Sequence, residues 1–150
     1  MASEIAKQNR AARFNPQEIA NTAWAFATLS NKNNLLFNVL GKALIVKIDD
    51  LNEQEISNTA WAFATVRRTD DQLFEMLAFA SMARIDGFTA QGISTTAWAF
   101  ASLRYYSQQL FQTIARAAEK KICTFTAQNI SNTAWAFAKA YRPRSEAARA

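Results

Sequence analysis

Gln17, Asn21 and Thr28 return every 37 residues, as Gln54, Asn58 and Thr65, then Gln91, Thr95 and Ser102, then Gln128, Asn132 and Lys139. Amides and hydroxyls donate and accept hydrogen bonds without carrying charge, which suits them to base edges and ribose hydroxyls. An ordinary solvent face of a helix carries Glu and Lys instead. Amide rows can also bond one another between stacked units, and the sequence leaves both uses open. Beside the row, Glu18, Glu55, Gly92 and Asn129 share one position but differ in type, as expected where different bases are met.

A second set is cationic. Arg67 and Arg68, Arg104, and Arg142 with Arg144 follow the second, third and fourth copies, and Lys32 follows the first. Tyr105 and Tyr106 interleave with them. Stacked in register, these ends form one edge suited to following phosphates, with aromatic rings stacking on bases. A single cation there would equally serve to offset a helix dipole. Lys plus Arg number 17 against 12 Asp plus Glu, a net charge of +5 with a pI near 9.7. That balance favours nucleic acid or an acidic membrane surface as partner. The candidate RNA contacts are the row itself, apart from Ser102, together with Arg67, Arg68, Arg104 and Arg142.

Catalysis finds no equipment. Histidine is absent, and the single Cys123 cannot complete a zinc set or an internal disulfide. Three glycines supply no phosphate-cradling loop. Asp49-Asp50 and Asp70-Asp71 fall at helix boundaries, where capping explains them. No enzyme activity, metal or cofactor is expected. The apolar runs are too short to span a bilayer.

The elements that position these residues follow from the repeat. Trp24, Trp61, Trp98 and Trp135 share the same spacing, in PQEIANTAWAFATL, EQEISNTAWAFATV, AQGISTTAWAFASL and AQNISNTAWAFAKA. A fixed period in this range marks stacked units that bury their apolar faces only against their neighbours. Each unit reads as two helices. The first is expected over 34–48, 71–85 and 108–122, capped by Asn33, Asp70 and Ser107. Lys47, Arg84 and Lys121 end its last turn, where a cation offsets the dipole.

The second helices are expected near 16–30, 53–67, 90–105 and 127–141. Asn15, Asn52, Thr89 and Thr126 cap them, with Pro16 at a first helical position and Glu18 and Glu55 completing capping boxes. Phe14, Leu51, Phe88 and Phe125, each five residues before an Ile, form hydrophobic staples. The tryptophans, flanked by alanine at the spacing of a core, are expected to fill inter-repeat gaps, with all four mostly buried, in preference to forming a base-stacking platform. Residues 1–13 have some transit-peptide composition, but Arg10 lies one period before Lys47, so they read as a partial leading helix. The whole chain, 1–150, is read as one array.

The ISNTAWAFA phrase at this spacing resembles the heptatricopeptide and octotricopeptide repeats, helical-pair solenoids of organellar RNA-metabolism proteins. It is also similar to repeat regions of the RNA-editing substrate-binding complex and of FAST-kinase-like mitochondrial RNA regulators. The resemblance implies RNA binding in a mitochondrion or plastid, in RNA processing, stability, editing or translation. The RAP domain that ends many such proteins has no counterpart here. The expectation is an all-α solenoid of about four two-helix repeats. Its concave face would bind single-stranded RNA without chemistry, alone or with other proteins of an RNA-processing complex. A protein-interaction scaffold of the α-solenoid type is the alternative.

Overall fold

The computed structural model describes residues 10–142. They form seven α-helices and, among the described residues, no strand: α1 (Pro16–Thr28), α2 (Asn34–Val46), α3 (Glu53–Thr65), α4 (Asp71–Arg84), α5 (Ala90–Ser102), α6 (Gln108–Lys121) and α7 (Ala127–Ala140). Short 3₁₀ turns at Ile48–Asp50, Ile85–Gly87 and Ile122–Thr124 lead into α3, α5 and α7. The fold class is all-α. The leading helix expected over 1–13 lies mostly outside the described residues, although Arg10 and Ala11 are helical.

Each helix starts where a short polar side chain can take an orphan amide. Asn15, Asn52, Thr89 and Thr126 accept from the backbone N–H three residues on, as do Asn33, Asp70 and Ser107. Glu18 and Glu55 return the bond to the cap amide at 2.8 Å, and Asn129 does so at 3.1 Å. That corrects one expectation. At the variable position beside the amide row Glu18, Glu55 and Asn129 are spent on capping, the last two buried while doing so, whereas Gly92 lines the groove between α3 and α5.

The packing of α3 shows why the phrase has its composition. Ile56 and Phe63 are fully buried on one side, and Phe63 meets Phe37 of α2 edge-on at 5.2 Å. Phe74 and Phe100, then Phe111 and Phe137, repeat that contact at 5.1 and 5.3 Å, the geometry that ring quadrupoles favour. The two flanks carry only small or slim side chains, with Ser57, Ala60 and Ala64 on one and Thr59, Ala62 and Val66 on the other, all buried. Those flanks let α1, α3, α5 and α7 pack closely in sequence, whereas α2, α4 and α6 approach one another at fewer points.

With one side taken by Ile and Phe and two by small residues, tryptophan is left the fourth. The expectation that all four indoles are mostly buried is therefore corrected, although Trp61 and Trp98 still pack against the core. Trp24 is 46% exposed and Trp135 41%, and Trp61 and Trp98 are half-buried. At about 100° per residue, Trp24 falls only some 20° around the helix from Gln17, inside the polar stripe.

Contacts between units also reassign two cations. Arg84 donates to the backbone carbonyls of Asp49, at 2.8 Å, and Leu51. Lys121 donates to those of Asp86 and Phe88, at 2.7 and 2.5 Å. Each thus fastens a first helix to the 3₁₀ turn of the unit before it. Their side chains are committed to orphan carbonyls of a neighbour, beyond any effect on their own helix dipole.

Candidate nucleic-acid interface

The second helices end two or three residues short of the boundaries 30, 67 and 105, and the reason lies in the site. Ser30, Arg67 and Arg104 adopt positive φ of 55°, 55° and 62°. The Arg67 amide donates to the Ala64 carbonyl and that of Arg68 to Phe63, at 3.0 and 2.8 Å. Arg104 with Ala101 and Tyr105 with Phe100 repeat this at 3.1 and 2.9 Å, as does the pair after Ser30. This is the two-bond stop in which glycine normally occupies the left-handed position. A side chain there costs about 1–2 kcal/mol relative to ordinary helical backbone. Two of three copies nevertheless place arginine at it. The turn projects both guanidinium groups beyond the helix ends, where they are exposed.

One prediction follows from the backbone alone. Arg67→Gly and Arg104→Gly should each raise stability by about 0.5–1 kcal/mol, the left-handed penalty less the extra freedom of glycine in the unfolded chain. Urea midpoints read this directly. A destabilised glycine variant would mean that the arginine side chains hold the fold together.

The structure brings the sequence-derived residues onto one face. Gln17, Asn21, Thr28, Gln54, Gln91, Gln128 and Lys139 are exposed, and Asn58, Thr65, Thr95 and Asn132 are half-buried. Gln54, Asn58, Gln91 and Thr95 share an open groove of about 520 Å³ between α3 and α5. Among the described residues no hydrogen bond ties the side chains of Gln17, Asn21, Gln54, Asn58, Gln128 or Asn132 to another side chain. Gln91 accepts from Asn129 at 3.4 Å. The row is not consumed by bonding across the stack. Its hydroxyls are less free: Thr28 donates to the Trp24 carbonyl at 2.8 Å, and the Thr65 oxygen is covered.

The cationic candidates divide. Arg67, Arg104 and Arg142 are exposed. Arg68 instead reaches back to Asn34, at 3.3 Å, and to Asn38 on α2. Tyr105 occupies the same position one period later and makes the matching tie to Asp71. Its ring stacks on Phe74, 4.8 Å away and tilted 8°. Burial first, then the hydrogen bond to Asp71 and its charge, push the Tyr105 phenol above its usual range, so it persists as a donor. Tyr105 is a structural tie, and Tyr106 is the open ring, 43% exposed.

Sequence reasoning put the indoles in the core. Between α5 and α7, Trp98 and Trp135 line an open groove of about 390 Å³ together with Ala101, Ser102, Arg67, Arg104, Tyr106 and Lys139. The signal was available in the helical angle of tryptophan and was outweighed by its residue type. Glu18 and Glu53 stand in the first turns of α1 and α3, and Arg67 and Arg104 stand beyond the far ends of α3 and α5. Among the described residues no group of three or more Asp, Glu or Cys is placed to hold a metal ion, and no helix is long and apolar enough to cross a membrane.

The family model of the RNA-editing substrate-binding complex 6 protein matches residues 3–147. The chain belongs to that family. Of the resemblances carried by the ISNTAWAFA phrase, the match falls on the RNA-editing one, and with it the helical face described above belongs to an RNA-editing family. Comparison with curated proteins gives no match.

Proposed function

We propose that the chain binds single-stranded RNA along the open polar face of α1, α3, α5 and α7, as a non-catalytic component of an RNA-editing complex. The observation that carries this reading is the placement of Arg67 and Arg104. Each stands in a backbone conformation that favours glycine, at the rim of a face rich in unpaired amides. Residues held at a local cost mark functional sites. Phosphates then follow the arginine rim while bases lie over the amide stripe.

The close packing of the second helices, against the looser first helices, is the basis for reading the array as a solenoid whose inner side is this face. The repeat is read as of the heptatricopeptide or octotricopeptide type with its 37-residue period. The family points to the mitochondrion as compartment and to other proteins of the editing complex as partners, and nothing supports the plastid alternative. A scaffold role has its own support on the opposite side, where Val46 is 84% and Phe79 60% exposed.

Fluorescence anisotropy with labelled single-stranded RNA octamers at several salt concentrations tests the reading. The chain should bind at low salt, with affinity falling as salt rises. Asn58→Ala and Asn132→Ala should change relative affinity among oligonucleotide sequences by a few-fold and leave the salt slope as it is. Absence of binding at low salt would return the scaffold reading to first place.

A further inference from the structure

The indole row is not uniform along the stack. The rings of Trp24 and Trp61 lie 6.3 Å apart and tilted by 35°. A base between two rings needs about 7–8 Å, twice the 3.5–4.0 Å contact distance of carbon atoms. That pair is closed. Among the described residues no such ring contact joins Trp98 to Trp135, and both rings line one open groove with the small residues Ala101 and Ser102. Lys139 stands where the other copies carry Thr28, Thr65 and Ser102, and its ammonium lies 5.4 Å from the centre of the Trp135 ring.

We propose that this groove is a nucleotide slot: one base of a single-stranded RNA stacks between the Trp98 and Trp135 indoles, while its flanking phosphates meet Arg67, Arg104 and Lys139. The inference rests on the RNA-binding reading above and deepens it by naming where the strand is anchored. Every base has a π-face, so the slot supplies affinity without choosing sequence. That division leaves base choice to Thr95 and Asn132 on the same face. The contact of Lys139 with an exposed indole is weak. A base entering the slot displaces it toward the phosphate, where a charge-assisted bond replaces it.

The chain carries its own reporters. Titration of the full chain with mixed-sequence RNA octamers should quench tryptophan emission together with the rise in anisotropy of the labelled RNA. Trp98→Leu and Trp135→Leu should each weaken binding roughly 5- to 100-fold, the range for losing one stacked base, with an unchanged salt slope. Trp24→Leu should change affinity by less than about threefold, because its ring pair admits no base. Trp98→Phe and Trp135→Phe keep a ring at the wall, guard against loss of fold, and should fall between the wild type and the leucine variants. Folded leucine variants that bind like wild type, with no quenching in the parent, would overturn the slot while leaving RNA binding intact. Failure of the wild type to bind at low salt overturns both.

Discussion

Replacing Arg67, Arg104 and Arg142 together with Gln is expected to flatten the log–log salt dependence of RNA binding by roughly 2. Each phosphate neutralised on a single strand contributes about 0.7 to that slope through counterion release. By the same relation the wild type and the triple variant should converge near 1 M salt. They should differ by about a hundredfold at 0.1 M. The loss should be similar for every sequence, because phosphate contacts carry no base identity. Glutamine is the informative replacement. It has no special tolerance of the left-handed backbone at positions 67 and 104, so stability stays near wild type and any loss of binding belongs to charge. Arg68→Gln is the contrast, since its guanidinium already serves Asn34 and Asn38. It should cost stability and move the slope little. An unchanged slope in the triple variant would remove these arginines as phosphate contacts.

How much of this was legible in the sequence depended on how local each signal was. The caps at Asn15, Asn33, Asn52, Asp70, Thr89, Ser107 and Thr126 act within three residues, and the sequence names each. At the variable position the sequence offered capping for Glu18 and Glu55 beside a base-reading interpretation of all four residues, and Glu18, Glu55 and Asn129 do cap. The buried Ile and Phe stripe was equally plain, since the other faces of the helix admit no large apolar side chain. Roles that depend on another unit were hidden. Arg84 and Lys121 reach carbonyls 33–35 residues away, and Arg68 and Tyr105 reach helices 30–34 residues away. Nothing in their own helices announces those partners. The tryptophans were misplaced for another reason: residue type argued for burial of all four, whereas Trp24 and Trp135 are exposed and Trp61 and Trp98 only partly covered.

That distinction between phenylalanine and tryptophan yields the last prediction. Phe100→Ala should cost about 3–5 kcal/mol, the usual loss for deleting a buried aromatic ring. Phe100 is 1% exposed and packs edge-on against Phe74 at 5.1 Å. Its loss empties space between α4 and α5 that alanine flanks cannot collapse to fill. Against a total stability of order 5–15 kcal/mol, this is enough to bring the chain near unfolding at 37 °C. Trp135→Ala should cost about 1 kcal/mol or less, since much of the indole already meets water and truncation leaves a surface notch instead of a cavity. Urea denaturation followed by circular dichroism separates the two cases without relying on tryptophan emission. The same Trp135→Ala protein, still folded, should bind RNA more weakly than wild type. Equal destabilisation by the two substitutions would mean that the indole row is part of the core, and the proposed binding face would then lose its indoles as a place for bases.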